Sequence, residues 1–175
     1  MGWTAGRIVL ALAHRYWSSK LIMTEFEIDR DRADFVVITK HNYLTEIEIK
    51  VTAEDWKRDL KKRKWNGSRP FVSRFFYAIP ETLRGMEPPG LPEGAGIMVV
   101  RAARFRDCVA VDRPAKRFKA QKISEKRIQR AYRNSYFRYW NQQMLLLRRQ
   151  RTEGEDKVNH VSNTSTRKDI KPESE

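Results

Sequence analysis

The chain has 175 residues, 40% of them hydrophobic and 33% charged, with a formal net charge of +14 at pH 7. That length and apolar content suit one domain with a real core plus an appended element, and the charge calls for an anionic partner, with nucleic acid the default. The single cysteine, Cys108, excludes an intramolecular disulfide and fits a reducing cytoplasm, while His14, His41 and His160 are too scattered for a zinc site.

Residues 4–19 read as a first helix, with Thr4 as N-cap and Ile8, Leu12 and Tyr16 near one face. Its apolar run, residues 8–13, is too short for a signal-peptide core or a membrane span, so no membrane attachment is expected. Residues 21–28 alternate as a strand, with Met23, Glu25 and Glu27 on one side. Residues 29–32 read as a charged turn. Pairing across it places Glu27 opposite Asp34, with Glu25 on the same face one step further along.

Two β-prone runs, residues 33–39 and 43–51, flank a short polar turn at Lys40-His41-Asn42, which predicts a hairpin. Folded about His41, residues whose numbers sum to 82 lie opposite one another, so Asp34 faces Glu48. Glu46, Glu48 and Lys50 project to one face and Ile47, Ile49 and Val51 to the other. Two carboxylates directly opposite each other repel. A divalent cation between them would turn that repulsion into coordination, with Lys50 beside it to hold or polarise a water.

After Lys50 the pattern becomes helical. Thr52 is the expected N-cap of a helix running to about Trp65, whose Trp56 packs on the sheet and whose other faces are basic. Lys57, Lys61 and Lys64 are its candidates for phosphate contact. Residues 74–79 are nearly all apolar and predict a central strand parallel to the one carrying Glu48. A loop rich in Pro and Gly follows over residues 81–96. Residues 97–100 predict a buried strand, residues 108–111 a short edge strand, and Pro114 opens a basic connection through Lys116, Arg117, Lys119 and Lys122. Residues 124–151 predict a long helix capped by Ser124, with Ile128, Tyr132, Tyr136, Tyr139 or Trp140, Met144 and Leu147 in one stripe. Residues 152–175 lack apolar periodicity and read as disordered.

The Asp34…Glu48-Ile49-Lys50 spacing is a D…E-x-K pattern. With Thr24-Glu25, Arg32-Ala33-Asp34, Glu48-Ile49-Lys50-Val51-Thr52, Asp55-Trp56, Lys64-Trp65, Phe76-Tyr77-Ala78-Ile79-Pro80, Leu91-Pro92 and Ala95-Gly96-Ile97 in order, the chain resembles the PD-(D/E)XK nuclease superfamily. Within it, the chain is most similar to the MmcB-like group of DNA-repair nucleases and their phage-borne relatives. The resemblance implies an α/β fold with a PD-(D/E)XK-type core: a helix, a meander of three strands, a helix and a parallel strand, with extra strands and a long C-terminal helix. Together with the periodicity read above, this gives a domain over residues 1–123, a basic aromatic helix over 124–151 packed on it, and a disordered tail over 152–175.

The same resemblance implies a magnesium- or manganese-dependent endonuclease acting on DNA. Asp34, Glu48 and the Ile49 carbonyl would hold the metal, and Lys50 would serve the attacking water. Glu25 would be the third carboxylate, the Thr-Glu position favouring it where register favours Glu27. A homodimer through residues 124–151 is a further expectation. The alternative from a different class is a DNA-binding module on the same fold without turnover.

Overall fold

A computed structural model describes residues 2–28, 31–61 and 69–165. These divide into two compact units, Met1–Ile128 and Gln129–Glu175.

The first unit is mixed α/β. In chain order it carries α1 (Ala5–Arg15), β1 (Leu21–Ile28), β2 (Asp31–Ile38), β3 (Leu44–Ile49), α2 (Ala53–Lys61), β4 (Val72–Pro80), a 3-10 turn (Glu81–Leu83), β5 (Gly96–Arg101) and β6 (Cys108–Arg113), and it ends in the first turn of α3 (Glu125–Ser165). The strands form one six-stranded sheet in sequence order. β1, β2 and β3 are antiparallel, β3, β4 and β5 run parallel, and β6 returns antiparallel at the edge.

Caps fall where the sequence places them. The Thr4 side chain accepts the Arg7 N–H (3.3 Å), Thr52 Oγ1 accepts the Asp55 N–H (3.1 Å) and Ser124 Oγ accepts the Arg127 N–H (3.4 Å). Each satisfies a donor that a helix start leaves without an intrahelical partner. The expected hairpin turn also forms. Thr39 N–H donates to the Tyr43 carbonyl (2.9 Å), Tyr43 N–H donates to Thr39 Oγ1 (3.2 Å), and Asn42 takes the left-handed conformation (φ 65°) that asparagine tolerates in turns.

One face of the sheet presents Phe35, Val37, Ile47, Ile49, Phe76, Ala78, Met98 and Val100 to Ile8, Ala11 and Leu12 of α1. Tyr77, pointing the other way from Phe76, meets the fully buried Trp56 of α2 on the opposite face, ring centroids 5.5 Å apart. β3, β4 and β5 are buried almost throughout, as central parallel strands covered on both faces should be.

Two expectations need correction. The β1–β2 register pairs Thr24 with Phe35, Phe26 with Ala33 and Glu27 with Arg32. Glu25, not Glu27, therefore lies across from Asp34. The ladder continues through Arg32 and Asp31, because charged side chains do not stop backbone pairing. The last helix likewise passes Arg151 and reaches Ser165, covering part of the stretch expected to be disordered. Glu and Lys are good helix formers without any apolar face.

In the second unit, Tyr136, Phe137, Tyr139, Trp140, Leu145, Leu146 and Leu147 are each about half exposed. Tyr136 and Trp140 contact edge-to-face at 6.1 Å.

Candidate active site

The β2–β3 register is the one the turn dictates: Val36 pairs with Glu46 and Phe35 with Ile47. One step further, Asp34 comes level with Glu48. There the ladder gives way to a side chain, and Asp34 Oδ2 accepts the Ile49 N–H at 2.9 Å. That bond pins Asp34 against the Glu48-Ile49-Lys50 backbone and leaves its other oxygen, and further lone pairs, for a ligand. On the opposite edge of β3, Lys50 N–H donates to the Ala78 carbonyl (3.0 Å), fixing the chain where it leaves the sheet.

Opposite residues of a sheet share a face, so a row runs across it from Glu25 through Asp34, Glu48 and Tyr77 to Ile97. Glu48 is 3% exposed and Lys50 5%, and Lys50 Nζ stands 3.4 Å from Glu48 Oε2. Glu46, one alternation earlier, is 1% exposed and paired with Arg69. This is not a solvated strand face. Ionised groups removed from water cost several kcal/mol each, roughly, unless paired, and here Glu48 is paired with Lys50 and Glu46 with Arg69.

Glu25 differs from the other three. It is exposed, pairs with Arg32 at 3.2 Å, and sits in the left-handed region (φ 52°) inside a strand. A non-glycine residue there costs roughly 1–3 kcal/mol and is a mark of functional sites. The structure thus sets Asp34, Glu48, Ile49 and Lys50 side by side, while Glu25 is level with Asp34 in the register and its side chain is exposed and paired with Arg32. Lys57 is exposed on α2, Lys61 closes that helix, and Lys64 lies outside the described residues. Sequence reasoning missed Arg69 and Tyr77. Arg69 belongs to the stretch between α2 and β4, and no periodicity there announces that it returns to Glu46. Tyr77 was read only as part of an apolar strand.

Among the described residues no group of three or more His, Cys, Asp or Glu gathers as a metal-binding cluster. The donors at Asp34 and Glu48 are hard oxygens. Mg²⁺ is commonly held by one or two protein carboxylates, with water and substrate phosphate completing its shell. The residues present fit such an ion and do not fit a closed zinc site.

The family model described as DNA repair protein MmcB-like matches residues 6–138. The chain belongs to the MmcB-like family. The matched span takes in the whole sheet of this MmcB-like protein, including every residue of the carboxylate row. A solved structure, a protein of unknown function from Silicibacter pomeroyi, is 21% identical, superposes with a TM-score of 0.58, and matches over 78% of this chain and 89% of that one. At that identity the likeness concerns the fold alone. No curated protein matches the chain. No helix among the described residues is long and apolar enough to cross a membrane.

Proposed function

We propose that this MmcB-like protein is a metal-dependent nuclease of the PD-(D/E)XK type that hydrolyses phosphodiester bonds of DNA in a repair process. The family description supports the repair role and DNA as partner. The observation that carries the catalytic part is the Asp34 carboxylate bonded to the Ile49 N–H beside the buried Glu48–Lys50 pair.

Asp34, Glu48 and the Ile49 carbonyl would hold Mg²⁺ or Mn²⁺. A divalent ion there supplies Lewis-acid polarisation of the phosphate and acidifies a bound water. Lys50, held by Glu48 in a site nearly free of solvent, orients the attacking water and offsets charge developing on the phosphate oxygens. Low solvent access strengthens both effects. Glu25, on the exposed end of the row, orders the water-facing side of the site through Arg32.

The test is cleavage of plasmid and single-stranded DNA by the purified chain with Mg²⁺, Mn²⁺ or EDTA, beside Lys50→Ala and the exposed Glu25→Gln. Metal-dependent nicking that falls about 10²- to 10⁴-fold in Lys50→Ala is expected, with a smaller loss in Glu25→Gln. Cleavage surviving in Lys50→Ala would place the chemistry elsewhere. Salt-sensitive DNA binding without cleavage by any of the three proteins would make this a binding module.

A further inference from the structure

Between β6 and α3 the chain forms neither helix nor strand, yet it is held along its length. Lys116 N–H donates to the Gly94 carbonyl (2.9 Å), Phe118 N–H to Ser73 (2.9 Å), Gln121 N–H to Pro70 (2.7 Å) and Ile123 N–H to Asn42 (2.9 Å). Those acceptors stand at or just before the starts of β5, β4 and β3. The segment is therefore a strap laid across the edge of the sheet where its parallel strands begin. The carboxylate row lies toward the other end, Glu48 being about 13 Å along β3 from Leu44 at about 3.3 Å per residue.

The strap is basic throughout. Lys116, Arg117, Lys119, Lys122, Lys126 and Arg127 are all exposed, and the acidic residue among them, Glu125, is engaged by Lys20 (2.6 Å) and Asn42 (3.0 Å). Of the carboxylates near it, Glu93 is engaged by Lys116 of the strap itself (3.5 Å) and Asp112 by Arg84. Arg117, Lys119, Lys122 and Lys126 have no ion pair among the described residues. Two of them are drawn together, Arg117 and Lys122 both lying over the ring of Tyr43 at 5.3 and 5.8 Å, while Arg127 lies over Phe71 at 4.2 Å. Like charges that lack carboxylate partners of their own repel one another, and an anion spanning them removes that cost.

We infer that this strap is a second contact for the phosphate backbone of nucleic acid, independent of base sequence and separate from the carboxylate row. The inference rests on the proposal that DNA is the partner. Arg117, Lys119 and Lys122 are exposed and lie within residues 117–122, close enough in the chain for one phosphate backbone to meet more than one of them. A membrane surface fits less well. Amphipathic membrane contacts pair cations with an exposed apolar face, whereas Tyr43 and Phe71 are partly buried beneath theirs.

The test is fluorescence anisotropy of labelled duplex and single-stranded oligonucleotides in EDTA over a salt series, comparing wild type with the combined variant Arg117→Gln, Lys119→Gln, Lys122→Gln. Each lost phosphate contact lowers the slope of log affinity against log salt by about 0.9 for duplex and about 0.7 for single strands, so a slope shallower by about 2–3 is expected. The thermal midpoint should not change, because the substituted side chains are exposed. A variant with the wild-type slope overturns the strap and leaves DNA as partner. A wild type that binds no oligonucleotide overturns both. Strap-dependent binding to phosphatidylserine vesicles with no effect on DNA makes the surface a membrane contact and also overturns the inference.

Discussion

Glu46 and Glu48 are ionisable groups on a strand that is buried along its whole length, and Lys50 follows it, also buried. Each is paired, Glu46 with Arg69 and Glu48 with Lys50, and breaking such a pair leaves an uncompensated charge away from water. Two other bridges contribute to the response to acid. The hydrogen bond from Arg7 holds the Asp107 carboxyl below its usual range, and bonds from Lys20 and then Asn42 do the same for Glu125. A carboxyl depressed in the folded state contributes its full stability above the unfolded value of about 4, and loses it as pH falls through the lower folded value. Thermal midpoints should therefore drop from about pH 4 downward, and Asp107→Asn should flatten that decline. An equally steep acid limb in Asp107→Asn would show that the bridge contributes nothing. That bridge ties α1 to the segment before β6, with Arg7 Nε 2.5 Å from Asp107 Oδ2.

At the scale of elements, the strap is seated by two glycines. A side chain at Gly96 would run into the Phe76 ring and stand 2.7 Å from the Ala115 backbone nitrogen. At Gly94, in the left-handed region (φ 77°), it would stand 2.8 Å from Lys116 Cβ. Gly94→Ala and Gly96→Ala should each lower stability by about 1–3 kcal/mol, measured as a shifted urea midpoint. A change within about 0.5 kcal/mol, as at an ordinary surface site, would mean that the strap is not held there. The elements themselves were largely legible. The β2–β3 register followed from a turn of fixed length between strands of clear alternation, and that register alone brings Asp34 to Glu48. The β1–β2 register did not follow, because the charges at Asp31 and Arg32 resemble a turn locally although their backbones pair with Ile28 and Glu27.

At the scale of the molecule, the +14 charge is unevenly committed. Many cations of the sheet domain have carboxylate partners and several of those on the strap do not. The half-exposed aromatic and leucine side chains of α3 make a surface of the kind that usually meets a partner. A second copy, which cutting both strands of a duplex would favour, is the partner expected. Sedimentation velocity of the full chain should show a concentration-dependent dimer that Leu145→Gln with Leu146→Gln shifts toward monomer. A monomer at every concentration would remove the homodimer.

The sequence by itself determined the mixed α/β class, the helix caps, the hairpin that sets Asp34 against Glu48-Ile49-Lys50, and the basic character of the chain. All of these depend on periodicity, short-range hydrogen bonds or composition, which are local. Only the tertiary structure decided that Glu25 rather than Glu27 lies level with Asp34 in the register, that Arg69 returns to Glu46, that Glu48 and Lys50 are buried, and that residues 114–123 lie across the start of the sheet. Each of those depends on backbone groups far apart in the chain finding one another, and nothing in a local pattern encodes which distant carbonyl a given N–H will reach.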